Sequence, residues 1–294
     1  MDEKIALHQL IDGELAWLAG FQLPDGALPM TPFDQACPPE GEESAESCAA
    51  ESRSKICPYF SEFTAIALLL RPAEYGGNVR RYLDWHFAHL NTAEDDYNGV
   101  DGTIYDYEAV RLPDGTIRES VLTDSRTGTL SYDSTDSYAG LFLELLWEYA
   151  EKTGDEAYVC RHRAEIERIY GAMLSTMDQD LTWAKPDYRV KYMMDNCEVC
   201  RGLRAMRRLI LRLLLPSAPE GDGKDRLLRL AEDTERRERA LIDRIERSLW
   251  QTEGSYYLVG LMDEDAPMPE HFDWNTFYPD ALAQLFPILM EGLP

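Results

Sequence analysis

Three stretches of the 294-residue chain place carboxylates, amides and aromatic rings where apolar helical segments begin. They are Ser131-Tyr132-Asp133-Ser134-Thr135-Asp136-Ser137-Tyr138, then Tyr192-Met193-Met194-Asp195-Asn196-Cys197-Glu198, then His271-Phe272-Asp273-Trp274-Asn275-Thr276-Phe277-Tyr278. A fourth apolar segment opens with Tyr59, Phe60 and Glu62. Two carboxyls can divide general-acid and general-base work across one bond. Amides fix hydroxyl groups, and flat rings cover the apolar faces of pyranoses, so the mixture is that of a sugar site.

Asp133 and Asp136 stand three residues apart at a helix start, where a plain capping arrangement is worth about 1 kcal/mol. A helix N-terminus favours the ionised carboxylate, which suits a base or nucleophile. Asp195 and Glu198 lie one turn apart in an apolar stretch, and one or the other is expected to be the acid; their structural alternative is pairing with Arg201 or Arg204. On an extended Ile104-Tyr105-Asp106-Tyr107, Asp106 faces away from Tyr105 and Tyr107. The catalytic candidates are Asp133, Asp136, Asp195 and Glu198. Candidates for substrate binding are Tyr59, Glu62, Tyr105, Asp106, Tyr132, Tyr138, Tyr192, Asn196, Trp274 and Tyr278.

Composition narrows the partners. With 54 acidic and 29 basic residues the chain carries a formal charge of −25, which repels phosphate backbones and anionic lipid surfaces. No apolar run approaches the roughly 20 residues of a membrane span, and the acidic start is no signal peptide, so a cytoplasmic location is expected. Cys197 and Cys200 form a CxxC inside a helical stretch with no second pair, and no histidines are spaced as ligands. Neither metal nor other cofactor is expected.

These groups must be carried by helices. Apolar periodicity predicts them over about 3–19, with Leu7, Leu10, Ile11, Leu15 and Leu18 on one stripe, and over 58–71, 77–91, 135–153, 156–177, 191–215, 224–250 and 276–291. Pro58 suits a first helical position, and Gly20 and Gly154 suit helix ends. Segments at 58–71, 135–150, 191–215 and 276–291 are apolar around much of their circumference, whereas 77–91, 156–177 and 224–250 are amphipathic. Buried helices alternating with half-exposed ones predict a single all-α domain over 1–294, an (α/α) toroid of helical hairpins. Its inner-helix starts then converge on one cavity mouth. Asp-Gly turns precede short β-like pieces, with a hairpin over 103–122 turning at Pro113-Asp114-Gly115 and a strand at 255–261. Residues 34–56, acidic and without period, read as a mobile loop insertion. Residues 189–247 hold 15 of the 29 basic side chains and read as a solvated helix face, with Glu232–Arg236 and Asp243–Arg247 as helical pairs.

Five motifs in order resemble the six-hairpin glycosidase-like superfamily: Ile56-Cys57-Pro58-Tyr59-Phe60, Asp101-Gly102-Thr103-Ile104-Tyr105-Asp106, Tyr132 to Ala139, Asp195-Asn196-Cys197-Glu198 and Phe277-Tyr278-Pro279-Asp280-Ala281. The likeness runs from about residue 10 to the end and is nearest to bacterial members of unassigned activity. It implies an (α/α) toroid and carbohydrate chemistry by analogy of fold. Four hairpins are legible against the superfamily's six, so the expected ring is incomplete at its C-terminal side.

The resulting expectation is a glycoside hydrolase that acts on oligo- or polysaccharide through paired carboxylates in a central cavity. The alternative is a non-catalytic sugar-binding or scaffold protein of the same fold. A sugar epimerase or isomerase needs histidine bases, and only His271 stands near an inner-helix start.

Overall fold

The computed structural model describes residues 3–35, 51–123, 128–268 and 272–289. Its Cα positions cluster into two compact units, one of residues 1–90 with 104–132, the other of 91–103 with 133–294.

The first unit contains α1 (Glu3–Ala19), β1 (Asp34–Gln35), β2 (Ser52–Ile56), α2 (Pro58–Leu68), α3 (Pro72–Ala88), β3 (Tyr107–Arg111) and β4 (Ile117–Val121). Gly20 ends α1, its N–H bonded to the carbonyls of Ala16 and Trp17. The expected α1 stripe is only partly buried: Leu15 is enclosed, while Leu7 and Leu10 are exposed. Pro58 opens α2, its missing N–H costing nothing in a first turn. The four strands form one antiparallel sheet in the order β1-β2-β3-β4. The β3–β4 hairpin turns where expected. Leu112 donates to the Thr116 carbonyl, Asp114 accepts from the Thr116 N–H at 2.8 Å, and Gly115 takes the positive φ of 85° that the turn demands. Residues 36–50, with Cys37 and Cys48, lie outside the described residues. The flanks of the segment expected to be a loop are strands, because β2 pairs with both β1 and β3. The core of this unit is built on Ile56, Leu68, Leu69, Val79, Tyr82 and Leu83.

The second unit holds α4 (Asp136–Thr153), α5 (Glu156–Arg161), α6 (Arg163–Ser175), β5 (Met177–Asp178), β6 (Leu181–Thr182), β7 (Lys191–Tyr192), α7 (Met193–Leu209), α8 (Leu215–Ser217), α9 (Asp222–Ser248), β8 (Trp250–Gln251), β9 (Tyr256–Tyr257), β10 (Gly260–Leu261) and α10 (Leu282–Leu289). Helix α4 is buried almost throughout from Asp136 to Ala150 and ends at Gly154, which adopts the left-handed conformation. In α9, by contrast, only Leu227, Ala231, Thr234, Leu241 and Ile245 are buried, and their steps of three, four and seven residues make a single inward stripe. Arg237 pairs with Asp233 at 2.7 Å, and on the inward side Arg204 of α7 reaches Glu238 at 2.8 Å. The expected charge pairs shift: Arg236 faces Asp233, and Arg247 donates to the Asp243 carbonyl.

Several boundaries differ from the sequence expectation, among them α3, expected over 77–91, which spans Pro72–Ala88. The helix expected over 156–177 is two, interrupted at His162. The helix expected to run to 215 passes through a π turn at Ile210–Leu214. The last helix begins at Leu282, because Tyr278 is extended and a π turn spans Phe277–Ala281. The strand expected at 255–261 is two, β9 pairing with β8 and β10 with β7.

Helices α4 and α7 meet backbone to backbone. A Cβ on Gly140 would lie 2.8 Å from the Glu198 carbonyl oxygen, and one on Gly202 would lie 2.5 Å from the Gly140 Cα. Among the described residues no helix is long and apolar enough to cross a membrane.

A carboxylate cluster at the joined starts of α4 and α7

The glycine contact sets the first turns of α4 and α7 side by side, and both turns carry acids. Asp136, the first residue of α4, is fully buried. Its Oδ1 accepts from the Ser134 hydroxyl at 2.7 Å and the Ser137 N–H at 2.8 Å, and its Oδ2 accepts from the Thr182 hydroxyl at 2.6 Å. Burial pushes this carboxyl up to about 6, against the pull of those three donors.

Asp195 lies in the first turn of α7 and keeps part of its surface open. Burial raises its pKa well above the ordinary aspartate value, and the negative charges of Asp136, Glu198 and Asp133 raise it further. Like charges close together disfavour one another's ionisation, so each added charge in this group raises the Asp195 pKa. Glu198 is fully buried, one turn along the same helix, while Asp133 is exposed in the bend before α4. Of the arginines that the sequence offered as partners, Arg201 pairs with Glu144 at 3.0 Å and Arg204 with Glu238 at 2.8 Å.

Tyrosines frame these acids. The Tyr278 phenol is raised by burial and then by Asp133, Asp195 and Glu198; its residue is 67% exposed. Tyr192 is raised by burial, by Tyr188 and by Asp195, and its hydroxyl lies 3.0 Å from that of Tyr188. Tyr138 is buried, its hydroxyl accepting from the Asp133 N–H at 3.3 Å. Trp274 is 60% exposed, its ring edge-on to Phe272 at 4.8 Å. His271 lies outside the described residues.

Asn196, expected to meet a ligand, is hydrogen-bonded within the protein. The residue is wholly buried, its Oδ1 accepting the Thr182 N–H at 2.8 Å and its Nδ2 donating to the carbonyls of Tyr192 and Thr182. Asp136 is likewise enclosed, every hydrogen bond above being internal, and so presents no surface to a substrate.

The remaining expected residues belong to the first unit. Asp106 does not stand open on a strand face; residues 104–107 are all buried, and the Asp106 carboxylate pairs with Lys55 at 2.8 Å. Tyr105 and Tyr132 are buried with ring centroids 5.7 Å apart. Glu62, fully buried, lies 3.6 Å from His86 Nδ1, and burial holds that imidazole well below its usual pKa. Tyr59 is half-buried, packed edge-on to Phe60 and Phe63.

Sequence reasoning passed over Thr182 and Tyr188. Tyr188 stands four residues before Tyr192, a visible spacing; nothing in the local sequence marks Thr182. Cys197 and Cys200 are both buried free thiols, the latter pushed up to about 12 by burial. Among the described residues no group of three or more His, Cys, Asp and Glu side chains is placed to hold a metal ion.

No protein-family model matches the chain, and no curated protein matches it. Solved structures do match. A wild-type glycosidase is 18% identical over 89% of this chain with a TM-score of 0.53. A glycosidase variant in complex with glucose is 15% identical over 89% with a TM-score of 0.52, and another glycosidase variant is 16% identical over 89% with a TM-score of 0.53. The chain spans 62% of the length of each of these chains. At such identities the likeness shows the fold alone, an all-α (α/α) toroid with short β-hairpin insertions.

Proposed function

We propose that this chain belongs with the six-hairpin glycosidase-like proteins and is a carbohydrate-active enzyme, a glycoside hydrolase with Asp195 as proton donor. Asp133, exposed at the same cluster, is the base that activates water or the nucleophile that attacks the anomeric carbon. The carboxyl of Asp195 delivers its proton to the glycosidic oxygen as the bond to the anomeric carbon breaks. Water supplies the hydroxyl of the new reducing end and the proton that restores Asp195.

The observation that carries this reading is the state of Asp195. It is partly open, and burial together with Asp136, Glu198 and Asp133 raises its pKa well above the ordinary aspartate value. A protonated carboxyl beside an exposed carboxylate is the pairing that glycoside hydrolysis requires. The phenols of Tyr192 and Tyr278 beside it supply donors and ring faces for a sugar. The fold shared with glycosidases, one of them carrying glucose, supports the same substrate class.

The test is release of reducing sugar from a panel of neutral, amino and uronic oligosaccharides and aryl glycosides. Asp195→Asn is expected to lower kcat by about 10²–10⁴, the usual share of general acid catalysis, with KM little changed. A protein that is stabilised by an oligosaccharide in thermal shift, yet hydrolyses nothing on the panel, would replace this reading with the sugar-binding alternative.

A further inference from the structure

We infer that Thr182 is a positioning residue of this site, its side chain and its backbone holding the first turns of α4 and α7 to the same strand, β6. The inference rests on the proposed role of Asp195. The Thr182 hydroxyl has one hydrogen and two acceptors in reach, Asp136 Oδ2 at 2.6 Å and Asn196 Oδ1 at 3.2 Å. The shorter distance is that of a charge-assisted O–H···O⁻ bond, so the proton goes to Asp136. Asn196 Oδ1 is satisfied instead by the Thr182 N–H at 2.8 Å, and Asn196 returns its Nδ2–H to the Thr182 carbonyl at 3.2 Å. Asp136 begins α4, and Asn196 adjoins Asp195 in α7. One fully buried threonine therefore holds both helix starts and donates to the carboxylate that most strongly perturbs Asp195.

The electrostatic consequence follows from the hydrogen bond. Burial disfavours the Asp136 carboxylate, and the donors Thr182, Ser134 and Ser137 N–H restore it, so that Asp136 is charged at neutral pH. That charge adds to burial in raising the Asp195 pKa. The other groups facing Asp195 are Asp133 from the bend before α4, Tyr192, Cys197 and Glu198 from its own segment, and Tyr278 from the last segment. Without the Thr182 hydroxyl, Asp136 takes up a proton more readily and Asp195 gives one up more readily. The two titrations should move in opposite directions.

Selective ¹³C labelling of aspartate, with resonances assigned by their loss in Asp136→Asn and Asp195→Asn, reads both carboxyls against pH in the full chain without any substrate. In Thr182→Val the Asp136 midpoint is expected to rise by about one pH unit, the worth of one charge-assisted bond, while that of Asp195 falls. Thr182→Ser, which keeps the hydroxyl, should titrate as wild type. If Thr182→Val does not fold, Thr182→Ala removes the hydroxyl without bringing a methyl against Asp136 and carries the same expectation. Unchanged midpoints in a folded hydroxyl-free variant, a shift of both midpoints in one direction, or equal shifts in Thr182→Ser would overturn the assignment. Because these readings need no turnover, absent hydrolysis with the expected titrations would defeat the proposed activity and leave the positioning role intact.

Discussion

Gly202→Ala puts the joint between α4 and α7 to a test whose sign is set by competing terms. In an exposed helix interior the change would stabilise by up to about 1 kcal/mol through helix propensity. Here the new Cβ would lie 2.5 Å from the Gly140 Cα and 2.8 Å from the Gly140 carbonyl oxygen, both backbone atoms that no rotamer change can move. Ordinary carbon–carbon contact is about 3.5–4.0 Å, so the helices must separate by about 1 Å over this turn. Overpacking of this kind costs about 1–3 kcal/mol and exceeds the propensity gain over most of that range, leaving a net loss of up to about 2 kcal/mol. For a chain of 294 residues that corresponds to a fall in Tm of a few degrees, about 2–4 °C per kcal/mol. Gly171→Ala in α6, where a Cβ meets nothing within 4 Å, isolates the propensity term and should raise Tm slightly. Separation of the helix starts should also move Asp195 away from Asp136 and lower its titration midpoint. Calorimetry of the two variants with Asp195 titration checks both consequences. A Gly202→Ala protein that melts at or above wild type, with Asp195 unmoved, would refute the view that glycine contact sets the spacing of the acids.

Two further outcomes follow from the charges. The folded Asp136 carboxyl, at about 6, lies above its ordinary 3.8, so its stabilising contribution is present below about pH 4 and lost as pH rises through about 6. Wild type should therefore lose up to about 3 kcal/mol relative to Asp136→Asn across that window and track it above, as measured by denaturant unfolding at a series of pH values. Lys191 is 2% exposed and donates to Asp178 and Asp265 at 2.8 Å each, with Arg244 also on Asp265. Burial would raise Asp265, but Lys191 and Arg244 together hold it below 3.8, so its stabilisation is complete above that pH and is lost on further acidification. Lys191→Met should cost about 1–3 kcal/mol, less than a wholly buried pair because both carboxylates keep some solvent, and should weaken the acid dependence of unfolding below about pH 4.

How much was legible in advance differs between scaffold and site. Helix positions emerged from local signals: the single buried stripe of α9, the apolar girth of α4, and Pro58, Gly20 and Gly154 at helix ends all act over a few residues. The β3–β4 turn was equally local, since Asp114-Gly115 carries its own geometry. Boundaries failed where tertiary packing overrode periodicity, as at His162 between α5 and α6 and at the extended Tyr278 before α10. Leu7 and Leu10 show the same limit from the other side, because an apolar stripe is buried only where another element arrives to cover it.

From sequence alone one can recognise that Asp133, Asp136, Asp195 and Glu198 belong to helix starts and that phenols accompany them. Their differing circumstances are a tertiary matter. Asp136 is sealed by a threonine 46 residues away, Asn196 is spent on the backbone of the same strand, and Asp106 is neutralised by Lys55. Burial, and the acids that the close approach of α4 and α7 at Gly140 and Gly202 brings near, raise the Asp195 pKa. Residue type and spacing decide which groups could ionise or donate. Burial, and the charges brought near by distant parts of the chain, decide which of them do, because the cost of charge depends on surroundings that no local stretch of sequence contains.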